Sequence, residues 1–172
     1  MLFRTTQRVR DWLKVVDTKL LRDNAVQTDS NKEWYCNLFV IHRRKCLLFT
    51  HSTSLFSFLI AGVRQADARD FGNLFRSQAA LALAAEGFTT NQIAYLLDTA
   101  SDQIGKTENR SVLGSMNDFI HMGRFYASQV GTLEELDIQE INREMNVAPM
   151  SYIGMQSATR ALRNLLQSAN IE

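Results

Sequence analysis

Three apolar runs between residues 34 and 63 constrain the fold more than any other feature of the chain. They read WYCNLFVI, CLLFTH and SLFSFLIAGV, and short polar breaks separate them. The first two runs are β-favouring and are separated by a short charged break, which is the outline of a β-hairpin. Because few residues join neighbouring runs, the simplest topology is a three-stranded antiparallel meander from Tyr35 to Ile60. Both faces of the runs are largely apolar, so we expect helices to pack over the sheet.

Apolar residues at helical spacing appear before and after these runs. A first stripe follows a capping position at Thr6 and consists of Val9, Trp12, Leu13 and Val16. The polar segment from Arg22 to Lys32 reads as a surface loop. Asp67 or Asp70 opens a second helix, which ends at Gly87 and carries on one side Phe71, Leu74, Phe75, Gln78 and Ala82.

The second half of the chain reads as helical. Thr89 or Thr90 opens a short helix, and a longer helix ending near Val130 has a buried stripe of Val112, Met116, Phe119, Ile120 and Gly123. Thr132 and Glu135 have the spacing of a capping box for a helix that runs to about Met145. The only proline, Pro149, prevents continuation of that helix.

The last helix of the C-terminal region, which we place between residues 133 and 168, has an apolar stripe with two readings. The stripe consists of Ala158, Ala161, Leu162 and Leu165. It either covers the core of its own chain or packs against a partner, including a second copy in a homo-oligomer.

These patterns predict an α+β fold in one domain over residues 1–172, in which several helices cover the antiparallel meander. The chain has 45% hydrophobic and 22% charged residues, close to average globular usage. Its formal net charge of +1 creates no global field that would attract a polyanion, so only a local patch could bind nucleic acid. The sequence contains neither a secretory signal nor a membrane-spanning run, which predicts a cytoplasmic protein without a membrane partner.

The segment from Lys106 to Asp118, KTENRSVLGSMND, contains the first candidate site. If a helix begins at Ser111, its free amide groups point back toward Lys106, Thr107, Asn109 and Arg110, where a phosphate or carboxylate could bind. The alternative is that Asn109 or Ser111 only caps the helix and that Arg110 pairs with a surface acid.

A polar face continues along the same predicted helix. Arg110, Gly114, Asn117, His121 and Arg124 share this face because they recur at helical spacing. Gly114 would leave an opening in the face, since glycine inside a helix often permits a close approach. The alternative is that the helix packs tightly on the sheet at Gly114 and that its polar face is only solvated.

A basic patch lies in the first break of the meander, at His42, Arg43, Arg44 and Lys45. Such turns are usually only solvated. If this turn lay beside Lys106 and Arg110, the two groups would form a phosphate-binding surface, and His121, His42 or His51 could then act as general acid or base.

The sequence predicts no metal site and no cofactor. The three histidines and two cysteines lack zinc-ligand spacing, and no nucleotide-binding or nucleophile motif occurs. Cys36 and Cys46 lie in neighbouring predicted strands; we expect reduced thiols in the core, although a disulfide is conceivable.

The run WYCNLFVIHRRKCLLFTHSTSLFSF, followed later by KTENRSVLGSMND, resembles a bacterial family of functionally uncharacterised proteins. The likeness extends from about Trp34 to Phe125 and implies a shared α+β domain, but it implies no reaction. We therefore expect a small non-enzymatic binding or regulatory module for a protein or a polar ligand. The alternative is an enzyme acting on a phosphate-bearing or nucleic-acid substrate, with Lys106 and Arg110 as a clamp and a histidine for proton transfer.

Overall fold

The computed structural model describes residues 1–15, 30–98 and 101–171, and a mixed five-stranded sheet lies at its centre. The strands are β1 (Leu2–Thr5), β2 (Glu33–Ile41), β3 (Arg44–His51), β4 (Ser57–Val63) and β5 (Gln103–Lys106). Their order across the sheet is β4-β3-β2-β1-β5. Strands β2, β3 and β4 are antiparallel, whereas β1 runs parallel to both β2 and β5.

The predicted α+β class and the antiparallel meander are confirmed, but the sheet has five strands instead of three. The two additional strands, LFRT and QIGK, have four residues each, too few to show an alternating pattern. They pair with each other across about a hundred residues of sequence, as in the bond from Thr5 Oγ1 to the Gly105 carbonyl at 3.1 Å. Their pairing is therefore a long-range property.

The turn between β2 and β3 is shorter than predicted. Only His42 and Arg43 lie outside the strands, while Arg44 and Lys45 belong to β3. Both turn residues have positive φ, 44° and 62°, as two-residue hairpins of type I′ require.

Six α-helices surround the sheet in the described part of the chain: α1 (Gln7–Leu13), α2 (Phe71–Ala85), α3 (Thr90–Leu97), α4 (Arg110–Ala127), α5 (Ile138–Val147) and α6 (Ala158–Ser168). A small hairpin of β6 (Pro149–Met150) and β7 (Gln156–Ser157) precedes α6. Thr89 caps α3 as predicted, with its hydroxyl accepting from the Gln92 amide, and Gly87 has the expected positive φ of 76°.

One predicted helix start is wrong. The chain does not use Thr132 and Glu135 as a capping box, because α5 begins at Ile138 and Asp137 caps it. Glu135 instead accepts a hydrogen bond from the Gly131 amide at 2.9 Å. The preceding helix α4 also ends earlier than predicted, at Ala127. Val16 and most of the predicted loop from 22 to 32 lie outside the described residues.

Aromatic side chains form the core on one face of the sheet. The ring of Phe75 in α2 lies 4.9–5.7 Å, between ring centroids, from four strand aromatics, which are Phe3, Trp34, Phe49 and Phe58. On the opposite face, α4 packs with Gly123 near Ile41. The expected helices near Phe71 and Met116 therefore cover opposite faces of the sheet.

The apolar stripe of α6 packs on the core of its own chain. Of its predicted residues, Ala158, Ala161 and Leu162 are buried and Leu165 is partly buried. Association with a partner or with a second copy stays a prediction.

The cysteines are free and buried. Cys36 lies opposite Phe49, and Cys46 opposite Phe39. Three ladder positions, about 10 Å, separate the two cysteines, which exceeds the reach of a disulfide. Within the described ranges, no helix has the length and apolar character needed to cross a bilayer.

Candidate functional site

The start of α4 is closed by its own cap. Asn109 precedes the helix, and its Oδ1 accepts hydrogen bonds from the amides of Ser111 and Val112 at 2.9 and 3.3 Å. These are amide groups that an anion at the helix start would use. Asn109 therefore caps the helix, as the alternative predicted. The pairing of Arg110 with a surface acid, the other part of that alternative, does not occur within the described residues.

Two tyrosines hold Asn109 in place. Its backbone amide donates to the Tyr35 hydroxyl at 3.1 Å, and its Nδ2 donates to the Tyr152 hydroxyl at 2.8 Å. Tyr35 is only 3% exposed, and burial raises the pKa of its hydroxyl. Asn109 thus joins α4 to β2 and to the segment before β7.

The polar face of α4 is exposed, but its residues are spread over several turns of the helix. Arg110, Gly114, Asn117, His121 and Arg124 are all exposed, and a Cβ added at Gly114 would meet no atom within 4 Å. The opening at Gly114 is therefore real, and the alternative of tight packing there is wrong. Eleven residues of helix place His121 about 16 Å along the axis from Arg110.

The basic patch lies at the far end of α4. His42 Nε2 contacts the Ala127 carbonyl at 3.0 Å, so the ring donates to the last turn of the helix. Arg44 pairs with Glu134 at 3.5 Å, and Arg43 and Lys45 are exposed. The helix from Arg110 to Ala127 is about 25 Å long, so the patch does not lie beside Lys106 and Arg110.

His51 is a buried structural residue. Its Nδ1 accepts from the Ser54 amide at 3.2 Å, which leaves Nε2 to donate to the Asn31 carbonyl at 3.1 Å. It lies opposite Trp34, whereas His42 lies beyond Ile41 at the other end of the same hairpin. About 23 Å of strand separates the two histidines, so the structure does not bring the three histidines together.

Lys106 and Thr107 lie at the carboxyl ends of β1 and β5, which form a second candidate binding region. The chain leaves these adjacent parallel strands toward opposite faces, a position where α/β sheets often bind ligands. Arg10 is buried there; it donates to the Thr5 carbonyl and to Gln7 Oε1, and its Nε has no partner within the described part of the chain. No carboxylate among the described residues pairs with this guanidinium.

A cleft of about 360 Å³ lies between β4, α2 and α5, and sequence reasoning did not identify it. We call it the amide cleft because its polar lining consists of Gln78, Gln139, Asn142, Asn146 and one acid, Glu86. Leu81, 62% exposed, contributes an apolar wall. The Glu86 carboxylate accepts from Thr159 Oγ1 at 3.0 Å and is therefore partly occupied.

Two asparagines of α5 close part of the outer edge of the sheet. Asn146 is fully buried; it accepts from the Ser57 amide and donates to the Ser57 carbonyl, both at 2.8 Å. One turn earlier, Asn142 Oδ1 accepts from the Leu59 amide at 2.8 Å. The side chains thus take the place that a neighbouring strand would occupy.

Several polar groups of the amide cleft have no hydrogen-bond partner within the described residues. They are the side chains of Gln78 and Gln139, the Nδ2 of Asn142, and the Leu59 carbonyl. The carbonyl faces the cleft because the amide and carbonyl of one strand residue point to the same side. In the sequence, only the amide-rich spacing of α5 could have indicated this cleft, and the same spacing is equally typical of a solvated helix face.

The described residues contain no group of three or more His, Cys, Asp or Glu side chains that could hold a metal ion. Burial raises the pKa of Cys36 well above its usual value and also raises that of Cys46, which disfavours either thiolate.

Among curated proteins, no sequence matches the chain. A family model described as a domain of unknown function, DUF6933, matches residues 2–161, nearly the whole chain and more than the segment from Trp34 to Phe125 that carried the resemblance. The match includes β1, the sheet, the amide cleft and most of the C-terminal region up to the first turn of α6. The chain therefore belongs to the family of the domain of unknown function DUF6933.

Proposed function

We propose that the protein is a non-enzymatic binding module, acting in the cytoplasm, that holds a neutral polar ligand or a protein segment in the amide cleft. One observation carries the proposal: the carboxamides of Gln78 and Gln139, on two helices, and the carbonyl of Leu59, in an outer strand, lie at one cleft without a hydrogen-bond partner among the described residues. Its volume falls in the range of small-ligand sites, which is roughly 300–1,000 Å³.

The chemistry of the lining favours a neutral ligand. Carboxamides both donate and accept hydrogen bonds, so they match amides and similar groups. Among the described residues that line the cleft, Glu86 is the only one with an ionisable side chain, and it is already bonded to Thr159. These described residues include no lysine, arginine or histidine that would attract phosphate or transfer a proton near neutral pH.

The second candidate function is binding of a phosphate-bearing substrate near Lys106 and Arg110. Buried Arg10, which lacks an acidic partner in the described part, favours an anion at this edge of the sheet. The proton-transfer part of an enzymatic role has less support, because His51 is buried at the opposite end of the hairpin from His42 and the three histidines do not meet at one site. We therefore rank this function second.

Amide-resolved NMR of the whole chain separates the two functions. We expect N-methylacetamide and uracil to shift the side-chain NH₂ signals of Gln78, Gln139 and Asn142, and Gln139→Leu to weaken these shifts. Gln129→Leu is the matched control, because Gln129 is an exposed glutamine outside the cleft. Shifts on adding inorganic phosphate that cluster at residues 106–111 would favour the second function, and an unchanged spectrum with both neutral probes would contradict the first.

A further inference from the structure

We propose that the ligand of the amide cleft is a small neutral compound with a ureido group, and that Glu86 selects it by accepting from its N–H groups. This inference rests on the proposed function and names the class of its ligand. The polar groups of the lining differ in whether they only accept hydrogen bonds, only donate them or do both. A ligand that pairs with all of them must present the complementary set.

The Glu86 carboxylate and the Leu59 carbonyl only accept hydrogen bonds. Oε2 of Glu86 accepts from Thr159 Oγ1 at 3.0 Å, whereas its Oε1 has no hydrogen-bond partner among the described residues. The Leu59 carbonyl also has no partner in the described part of the chain. A ligand that enters the cleft and displaces water must therefore supply N–H or O–H groups to these oxygens.

Asn142 contributes a donor whose orientation is fixed. Its Oδ1 accepts from the Leu59 amide at 2.8 Å, which assigns the two ends of the carboxamide and leaves Nδ2 without a partner among the described residues. Gln78 and Gln139 can turn either the oxygen or the NH₂ group toward a ligand. A ureido group matches this lining, because it has several N–H groups for the acceptors and one carbonyl oxygen for a donor.

The charges near Glu86 favour a neutral donor over a cation. The Arg163 guanidinium donates to the main-chain carbonyl of Glu86 at 2.6 Å, so a positive charge already lies beside this residue. An added cation would meet this like charge, and an anion would meet the Glu86 carboxylate. Leu81 and Ala82 add apolar surface that an alkyl substituent of the ligand can contact.

The test is an amide-resolved NMR titration of the whole chain with probes of similar size. They are N-ethylurea, the cation ethylguanidinium, and N,N-dimethylacetamide, which has a carbonyl but no N–H group. We expect N-ethylurea to bind at least about tenfold more tightly than N,N-dimethylacetamide, because the latter leaves acceptors of the cleft desolvated and unpaired. Ethylguanidinium should bind no more tightly than N-ethylurea, and tighter binding of this cation overturns the neutral class.

The variant Glu86→Gln tests the selecting residue. Glutamine has nearly the same shape and keeps an oxygen for the Thr159 hydroxyl, but it turns an NH₂ group toward the cleft. The affinity for N-ethylurea should then fall about tenfold, while that for N,N-dimethylacetamide stays equal or rises. Glu134→Gln is the matched control, because Glu134 is an exposed glutamate outside the lining. Thermal melts establish that both variants fold.

Equal affinity of the wild-type chain for the two neutral probes overturns this inference. An affinity for N-ethylurea that does not change in a folded Glu86→Gln chain also overturns it. If N-methylacetamide and uracil still shift the cleft signals in either case, the proposed function survives without this inference. If no neutral probe shifts them, both fall.

Discussion

Asn142 and Asn146 show how one residue type can serve two purposes on a single helix. Asn146 is fully buried and uses both ends of its carboxamide on Ser57, whereas half-buried Asn142 uses only its oxygen. The first therefore has a structural role, and the second retains a donor for a ligand. Both residues were ordinary polar positions in the sequence, because their partners lie 89 and 83 residues away.

Replacement of each asparagine by aspartate separates these roles. We expect Asn146→Asp to lower the free energy of unfolding by about 2–4 kcal/mol, because it removes the donor and buries a carboxylate against the Ser57 carbonyl. Asn142→Asp keeps the acceptor for Leu59 and should change stability by less than about 0.5 kcal/mol. Urea unfolding at pH 7 measures both. Equal costs for the two variants would contradict the division of roles, and the Asn146→Asp deficit should shrink at low pH, where the buried acid regains a proton.

At the scale of elements, α4 is defined by interactions at its two ends. Asn109 caps its start and is itself held by Tyr35 and Tyr152, while His42 donates to the Ala127 carbonyl in its last turn. Cationic or hydrogen-bonding side chains are favourable at a helix C-terminus because the free carbonyls carry partial negative charge. Asn109 and His42, two candidate site residues in the sequence, thus bind the beginning and the end of one helix.

The substitution Gly114→Ala measures how much stability the protein loses by having a glycine at this opening in α4. Since a Cβ there meets no atom within 4 Å, we expect the substitution to stabilise the protein by about 0.5–1 kcal/mol, the usual glycine penalty in a helix. Thermal unfolding should then show a midpoint about 1–4 °C higher.

Gly72→Ala in α2 is the matched comparison. A Cβ at this position would collide with the Asp102 carboxylate, which pairs with Arg76. The ends of the Asp102 and Arg76 side chains are partly exposed and can move aside, so we expect Gly72→Ala to raise the midpoint less than Gly114→Ala does. A Gly114→Ala variant that melts at or below the wild-type temperature would show that α4 is not free to accept a side chain there.

At the scale of the whole molecule, one buried sheet and its aromatic core contain several groups that resist ionisation. Burial raises the pKa of Cys36, Cys46 and Tyr35. A raised pKa in the folded state means that the unfolded chain loses these protons first. The stabilising contribution is therefore complete below the unfolded pKa values, about 8.5 for cysteine and about 10 for tyrosine, and is lost as the pH rises above them.

Alkaline destabilisation should consequently begin near pH 8.5. We expect the free energy of unfolding to fall with a limiting slope of about 1.4 kcal/mol per pH unit for each thiol. Urea unfolding between pH 7.5 and 9.5 under reducing conditions measures this slope, and the double variant Cys36→Ala, Cys46→Ala should flatten it. An equally steep decline in the double variant would assign the effect to other groups.

The amino-acid sequence by itself determined the local elements of this protein. The strands of the meander, the stripes of α2, α4 and α6, and the cap at Thr89 follow from spacing within a few residues, because side-chain periodicity and capping are short-range effects. Tertiary structure decided that β1 and β5 complete the sheet, that Asn109 closes the start of α4, and that several side-chain amides meet beside β4. These outcomes depend on which distant groups become neighbours. A four-residue strand is too short to show a periodic pattern in the sequence. The sequence also does not distinguish an asparagine that bonds water or a ligand from one that bonds a strand edge 89 residues away.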